Sequence, residues 1–204
     1  MSIRGMVADE RRDLVAFLRT LSDDEWNAPS LCAGWRVRDV VAHAASSDVT
    51  PPRNLVAMFA RNRGSIDRLN NALVERARDW PTEKLIDDLE STIDTSVSAR
   101  LAPRVMLGDV VVHHQDIRRP LGKPRVIPAD RLVATLQHPD PFARPRRYTK
   151  GLRFVATDVD WSKGTGPEVR GPGEALALAT AGRPVALDDL DGEGLATLRS
   201  RLIP

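Results

Sequence analysis

Apolar residues recur with a helical period through the first part of the chain and with a shorter one near its end. Val7, Leu14, Leu18 and Leu21 fall on one stripe. This predicts an amphipathic helix over residues 6–21, with Asp9, Glu10, Arg11 and Arg12 elsewhere on the wheel. Pro29 and Gly34 punctuate the next stretch. In GWRVRDVVAHAA (34–45), Val37, Val40, Val41 and Ala44 repeat at i, i+3, i+4 and i+7, and His43 lies at the edge of that stripe. Pro51 and Pro52 break the chain and suit a first helical turn. Residues from about 53 to 78 read as one long polar-faced helix whose core positions are Leu55, Met58, Phe59, Ile66, Leu69 and Leu73. Trp80-Pro81 ends it. PTEKLIDDLESTIDTSV enters another helix, and Pro103 opens one that runs to about Arg119, where Pro120 and Gly122 stop it.

Four long helices with a shorter insert pack most naturally as an up-and-down bundle. After Gly122 the texture changes. Residues 123–150 are rich in proline and arginine, with one short helix at 129–137, and read as a linker. From Gly151 the period shifts towards two. LRFVATDVDW offers Leu152, Phe154 and Val159 as strand residues, and GPEVRG a second short strand. GEALALATAG is a helix stopped by Gly182, and DGEGLATLRSRL a final helix. The expected organisation is a helical bundle over 1–122, a linker over 123–150 and a small α/β unit over 151–204.

Composition narrows the function. The chain has 204 residues, 42% hydrophobic and 28% charged, ample for a buried core. No apolar run approaches the ~20 residues that span a bilayer. The N-terminal stretch lacks the apolar core of a signal peptide, so cytoplasmic residence is expected. A net charge of +2, one basic cluster (ARPRRYTKG, 143–151) and a single tyrosine argue against nucleic-acid binding. Cys32 is the only cysteine, which rules out an intramolecular disulfide and fits a reducing compartment. No histidine accompanies it locally, and it reads as a small buried hydrophobe. Arginine outnumbers lysine 26 to 4, the mark of a GC-rich genome.

The stretch GDVVVHHQDIRRPLG (108–122) carries the chemistry. On one helix, Asp109 and His113 are i and i+4 and share a face, which Asp116 extends at i+3 from His113. His114 is rotated by about 100° and points elsewhere. Asp109 and His113 supply two metal ligands, and His43 on another helix is the obvious third. A His/Asp/His set with a vacant fourth position suits catalytic zinc, though iron, nickel or cobalt also accept such ligands. His138 follows a proline-rich turn and fits poorly. The bland alternatives stand beside this reading. An Asp/His pair one turn apart also makes a surface hydrogen bond, and His43 can be a packed core histidine. Arg118 and Arg119 could grip a substrate carboxylate or cap the helix C-terminus. Arg68, on the middle helix, is a further substrate-binding candidate.

LCAGWRVRDVVAHAA (31–45), followed downstream by GDVVVHHQDIRRPLG, resembles the mycothiol-dependent maleylpyruvate isomerase family of the DinB/YfiT-like metal-binding superfamily. GLRFVATDVDWSKGTGPEVRGPGEALALATAGRP (151–184) is similar to the short second domain of many members. The resemblance implies a mostly α fold: a DinB-like up-and-down four-helix bundle followed by a small C-terminal α/β domain. It implies a divalent ion, usually Zn2+, on His43, Asp109 and His113. His114 and Asp116 would stand behind those ligands. The family more often has glutamate where this chain has Asp109. Aspartate is one methylene shorter, so the helix must come closer or a water must bridge. The implied activity is that of a thiol transferase or isomerase. Mycothiol, a small thiol of actinobacteria, would be the co-substrate, and its thiolate would attack an electrophilic substrate. The alternative is a non-catalytic metal-binding bundle that senses stress or binds a partner. Bundles of this kind can also dimerise through helix faces, so a homodimer is compatible with the sequence.

Overall fold

The computed structural model describes residues 1–203, the side chains of Ser47 and Pro52 apart. The protein is mostly helical, with an up-and-down bundle and a small α/β part. Its helices, in chain order, are α1 (Ile3–Leu18), α2 (Asp23–Asn27), α3 (Val37–Val49), α4 (Pro52–Arg61), α5 (Ile66–Arg76), α6 (Thr82–Ser91), α7 (Val97–Leu101) and α8 (Pro103–Arg118). There follow α9 (Ala129–Gln137), α10 (Arg146–Thr149), strands β1 (Arg153–Ala156), β2 (Ser162–Gly164) and β3 (Glu168–Gly171), and helices α11 (Gly173–Thr180) and α12 (Leu195–Leu202). The described chain forms two compact units. The first comprises Met1–Leu101 with His113–Arg125, the second Ala102–Val112 with residues from Val126 onwards. Helix α8 runs unbroken through the boundary.

In the first unit the predicted stripes are buried. Val7, Leu14 and Leu18 of α1 and Val37, Val40, Val41 and Ala44 of α3 all lie in the core. Ser2 caps α1 by accepting from the Gly5 N–H at 3.1 Å. Helix α2 is an addition to the sequence reading. Its start is a capping box, Ser22 with Glu25, which satisfies two backbone donors reciprocally.

The expected long helix over 53–78 is two helices. Arg63 and Gly64 adopt positive φ (56° and 66°), and the Gly64 N–H returns to the Phe59 carbonyl at 3.0 Å. Ser65 then caps α5 through the Arg68 N–H at 3.3 Å. A glycine in the left-handed region followed by a capping serine is a stop and a start in succession. The break also overturns the expected core. Of the six residues assigned to it, Leu73 alone is buried, while Leu55, Met58, Ile66 and Leu69 are half-buried and Phe59 is exposed.

A second departure concerns α1. Glu10 and Arg11, assigned to its polar face, are both buried. Each meets a partner from a distant helix. Arg11 Nη2 lies 2.6 Å from Asp48 Oδ2 of α3, and Arg11 Nη1 donates to the Thr92 carbonyl (3.1 Å) and hydroxyl (3.0 Å) beyond α6. Ser96 Oγ donates to the same Asp48 oxygen at 2.8 Å. With every charge compensated, the cluster ties α1 to α3 and to the α6–α7 connection.

In the second unit, β1 pairs antiparallel with β2 (Phe154 opposite Lys163) and parallel with β3 (Phe154 opposite Val169), giving the order β2-β1-β3. Strand β2 has three exposed residues and no apolar alternation, so its sequence gave no signal. Val159 lies in a bend and not in a strand. Helix α11, nearly all buried, packs on β1 and on α9. Gly182 takes φ 83° just past its end, as a C-terminal stop requires. Among the described residues, no helix is long and apolar enough to cross a membrane.

Removing one member of the Arg11–Asp48 pair leaves the other charge buried and uncompensated, which costs about 3–5 kcal/mol. Arg11→Met and Asp48→Ala should each lower the urea midpoint strongly, and the double variant should recover part of the loss. Additive losses in the double variant would show that the two residues do not act as a pair.

Candidate functional site

The segment between α2 and α3 is held in place before it contributes a side chain. Ser30 Oγ donates to the Trp35 carbonyl at 2.8 Å and accepts from the Cys32 N–H at 3.1 Å. The Trp35 N–H closes a turn onto the Cys32 carbonyl at 2.9 Å, and Gly34 supplies the required positive φ of 78°. The Leu31 N–H donates to the Asp116 carbonyl of α8 at 3.0 Å, so the loop is pinned to that helix. Asp39 then opens α3 by accepting from the Arg36 N–H (2.9 Å) and its guanidinium (Nε 3.1 Å).

His43 of α3 and His113 of α8 meet edge to face, with ring centroids 5.0 Å apart and planes at 81°. The Trp35 ring stands on another side of His43 at 5.4 Å, and its Nε1 donates to Asn71 at 3.2 Å. The Nδ1 atom of His43 is buried. Asp109 lies one turn before His113, placed there by the hydrogen bonds of α8 itself. Asp109 and His113 on one face of α8, with the His43 ring beside His113, could hold a divalent transition ion.

Behind His113 stands Asp116. Its Oδ2 lies 2.9 Å from His113 Nδ1, and its side chain is fully buried. An ionised carboxylate accepts, so Nδ1 carries the proton and Nε2 becomes the nitrogen able to bind a metal. This carboxylate–imidazole arrangement orients metal-binding histidines. Cys32 Sγ lies 3.1 Å from the same Asp116 oxygen and 3.7 Å from His113 Nδ1. The chain offers Cys32 no local histidine, yet the fold brings one to it from across the bundle. Cys32, His113 and Asp116 form a second group of donor atoms within 4.8 Å.

His114 faces the opposite way. It is fully buried, with Nδ1 at 2.9 Å from Glu10 Oε1 of α1. Arg118 Nε donates to His114 Nε2 at 2.8 Å, and its guanidinium lies over the Phe17 ring. Arg125 pairs with both Glu10 oxygens and donates from Nε to Gln115 at 2.9 Å. The tautomer follows. A guanidinium can only donate, so His114 Nε2 accepts and Nδ1–H donates to the carboxylate. Burial, with Arg125 and Arg118 nearby, outweighs the Glu10 interaction and pushes the His114 pKa down to about 4. For Glu10, burial favours the neutral form, but hydrogen bonds from His114 and Arg125 and the charge of Arg125 together hold its pKa at about 2.

The residues singled out from sequence therefore separate into three groups. His43 meets His113, with Asp109 one turn before His113 on α8 and Asp116 behind it. His114 and Arg118 belong to the network with Glu10, and Arg118 also donates to the Lys123 carbonyl at 3.2 Å. Arg119 is half-buried at the end of α8, and Arg68 is exposed in the first turn of α5. Sequence reasoning missed Cys32, Trp35, Glu10 and Arg125 as parts of this region. Cys32 and Trp35 both stand in the LCAGWRVRDVVAHAA stretch that carries the family resemblance.

Residues 7–99 match the family described as the mycothiol maleylpyruvate isomerase N-terminal domain. Two solved structures are similar over nearly the whole chain. One is the mycothiol-dependent maleylpyruvate isomerase, with TM-score 0.62 and 16% identity over 95% of this chain and 93% of that one. The other is a histidine-to-alanine mutant of that enzyme, with TM-score 0.63 and 15% identity over the same shares. At such identity the likeness establishes the fold, a DinB-like bundle with its small α/β portion. Among curated protein sequences, none matches.

The network on α1 and α8 makes stability depend on pH. As pH falls, the unfolded chain protonates its histidine near 6.5, whereas folded His114 resists protonation until about 4. This contribution is complete above 6.5 and is lost on the way down to about 4, on the order of 2–3 kcal/mol. Glu10 adds a second loss between about 4.5 and 2. Urea midpoints should fall from pH 7 to pH 4 in the wild type. In His114→Gln, less stable throughout, the slope between 6.5 and 4.5 should flatten. Equal slopes in the two proteins would refute the assignment to His114.

Proposed function

We propose that this protein is a metal-dependent enzyme of mycothiol chemistry, a transferase or isomerase that activates the small thiol for attack on an electrophilic substrate. The observation that carries the reading is the edge-to-face approach of His43 and His113 with Asp116 behind His113, in a chain whose residues 7–99 match the mycothiol maleylpyruvate isomerase N-terminal domain. A divalent ion, zinc by preference, would stabilise the thiolate of a bound thiol and so supply the nucleophile at neutral pH.

The chain's own residues would do the rest. His43, Asp109 and His113 would hold the ion from one side and leave a position for the thiol. Asp116 would keep the His113 proton on Nδ1 and Nε2 turned towards the ion. Trp35 would brace the His43 ring. Asp109 in place of glutamate shortens the carboxylate reach, so α8 would stand closer to the ion or a water would bridge. Arg118 is committed to His114, so recognition of an anionic substrate would fall to Arg119 or Arg68. Isomerisation would be addition of the thiolate to an activated double bond, rotation about the resulting single bond, and elimination of the thiol. Conjugation would stop after the addition.

The first test is elemental analysis of untagged protein. We expect about one equivalent of divalent metal, lost in His43→Gln and in His113→Gln. Asp116→Asn should keep the fold and weaken metal binding about 10–100-fold. Mycothiol-dependent consumption of an activated alkene should fall with the metal. Metal content unchanged by the histidine substitutions would sink the reading.

A further inference from the structure

The His113 ring faces two sets of partners. His43 meets it edge to face, and on its Nδ1 side are Asp116 and Cys32. We propose that Cys32, His113 and Asp116 form a second metal site, selective for thiophilic divalent ions, which excludes occupancy of the first by claiming the shared imidazole. The exclusion rests on the proposed role of His43, Asp109 and His113, whereas the sulfur site itself does not.

The donor spacing supports such a site. Sγ to Oδ2 is 3.1 Å, Sγ to Nδ1 is 3.7 Å and Nδ1 to Oδ2 is 2.9 Å. Metal–ligand bonds of roughly 2.0–2.3 Å at tetrahedral angles give edges of about 3.3–3.6 Å. Each pair needs to move only a few tenths of an ångström. Two protons, one on sulfur and one on Nδ1, hold the trio together, and a cation replaces both. The sulfur proton leaves to solvent, and the ring proton moves from Nδ1 to Nε2. The result is a thiolate, a carboxylate and a neutral imidazole around a 2+ ion, with no net charge.

Selectivity follows from the donors. The set around His43 has only nitrogen and oxygen, whereas this one has a soft sulfur and favours ions such as Cd2+. Cys32 is half-buried, not sealed in the core. Exclusion follows from the ring, because a neutral imidazole has one lone pair, on Nδ1 or on Nε2. An ion on the Nδ1 side also takes the Asp116 carboxylate that otherwise orients His113. A thiophilic ion would therefore disable the first site without touching His43 or Asp109.

Because Cys32 is the only cysteine, any thiolate–metal signal belongs to it. The experiment titrates Cd2+ and Co2+ into metal-free wild type, Cys32→Ser and His43→Gln, followed by ultraviolet charge-transfer absorption. Far-ultraviolet circular dichroism checks that each variant is folded. We expect Cd2+ to give a thiolate band in wild type and in His43→Gln, and none in Cys32→Ser. Cd2+ should also displace Co2+ from wild type one for one and shield Cys32 from alkylation. Absence of the band and of the shielding in both Cys-containing proteins would overturn the proposal, as would simultaneous binding of Cd2+ and Co2+. The two readings fail separately. Co2+ bound by Cys32→Ser and lost on adding His43→Gln upholds the first site even when no thiolate band is seen. Co2+ retained by the double variant sinks the first site alone.

Discussion

The rotation of α8 about its axis is the constraint on which the candidate site depends. His114, neutral and fully buried between the Glu10 carboxylate and the Arg118 guanidinium, can be satisfied in one orientation only. Adjacent residues on a helix are about 100° apart, so fixing His114 also fixes His113. A buried imidazole that missed both partners would lose on the order of 1–3 kcal/mol per unsatisfied group. The network thus acts on the site without touching it. Buried ionic groups contribute little net stability when compared with apolar replacements. Their value here lies in excluding other rotations of a helix whose apolar valines would tolerate several.

Helix α1 performs the complementary task. Glu10 and Arg11 are neighbours in sequence, yet each is committed to a different part of the bundle. Glu10 is held by α8 and Arg125, and Arg11 by Asp48 of α3 and Thr92. Two adjacent buried charges of opposite sign, Glu10 compensated by Arg125 and Arg11 by Asp48 of α3, define where α1 sits and how it is turned. Through them α1 links the helix bearing His43 to the segment of α8 bearing His113. The loop from Ser30 to Trp35 closes the arrangement by bonding to the Asp116 carbonyl.

What the sequence disclosed depended on the range of each interaction. The stripes of α1 and α3, the prolines opening α4 and α8, and the Asp109–His113 pairing are local, and all were legible. The break between α4 and α5 was local too, but the apolar spacing across it continued and masked the glycine–serine signal. The burial of Glu10 and Arg11 was not legible, because their partners lie far along the chain and a charge on a helix wheel is ordinarily solvated. Cys32 was misjudged for the same reason, since its histidine is 81 positions away. His43 could be joined to Asp109 and His113 only through the family resemblance and the want of another suitable histidine.

Helix α4 stands apart from this mesh of constraints. None of its described side chains is buried, and Val56 and Phe59 are open to solvent. Its backbone is bounded by Pro51 at one end and by the left-handed turn at Arg63–Gly64 at the other. Few contacts would break if α4 opened, so its amides belong to the weakly protected end of the hydrogen-exchange range, well below the global unfolding free energy. The segment between α3 and α5 is therefore the part of the bundle where sequence can drift, or a residue be inserted, while the helices that position His43 and His113 remain folded.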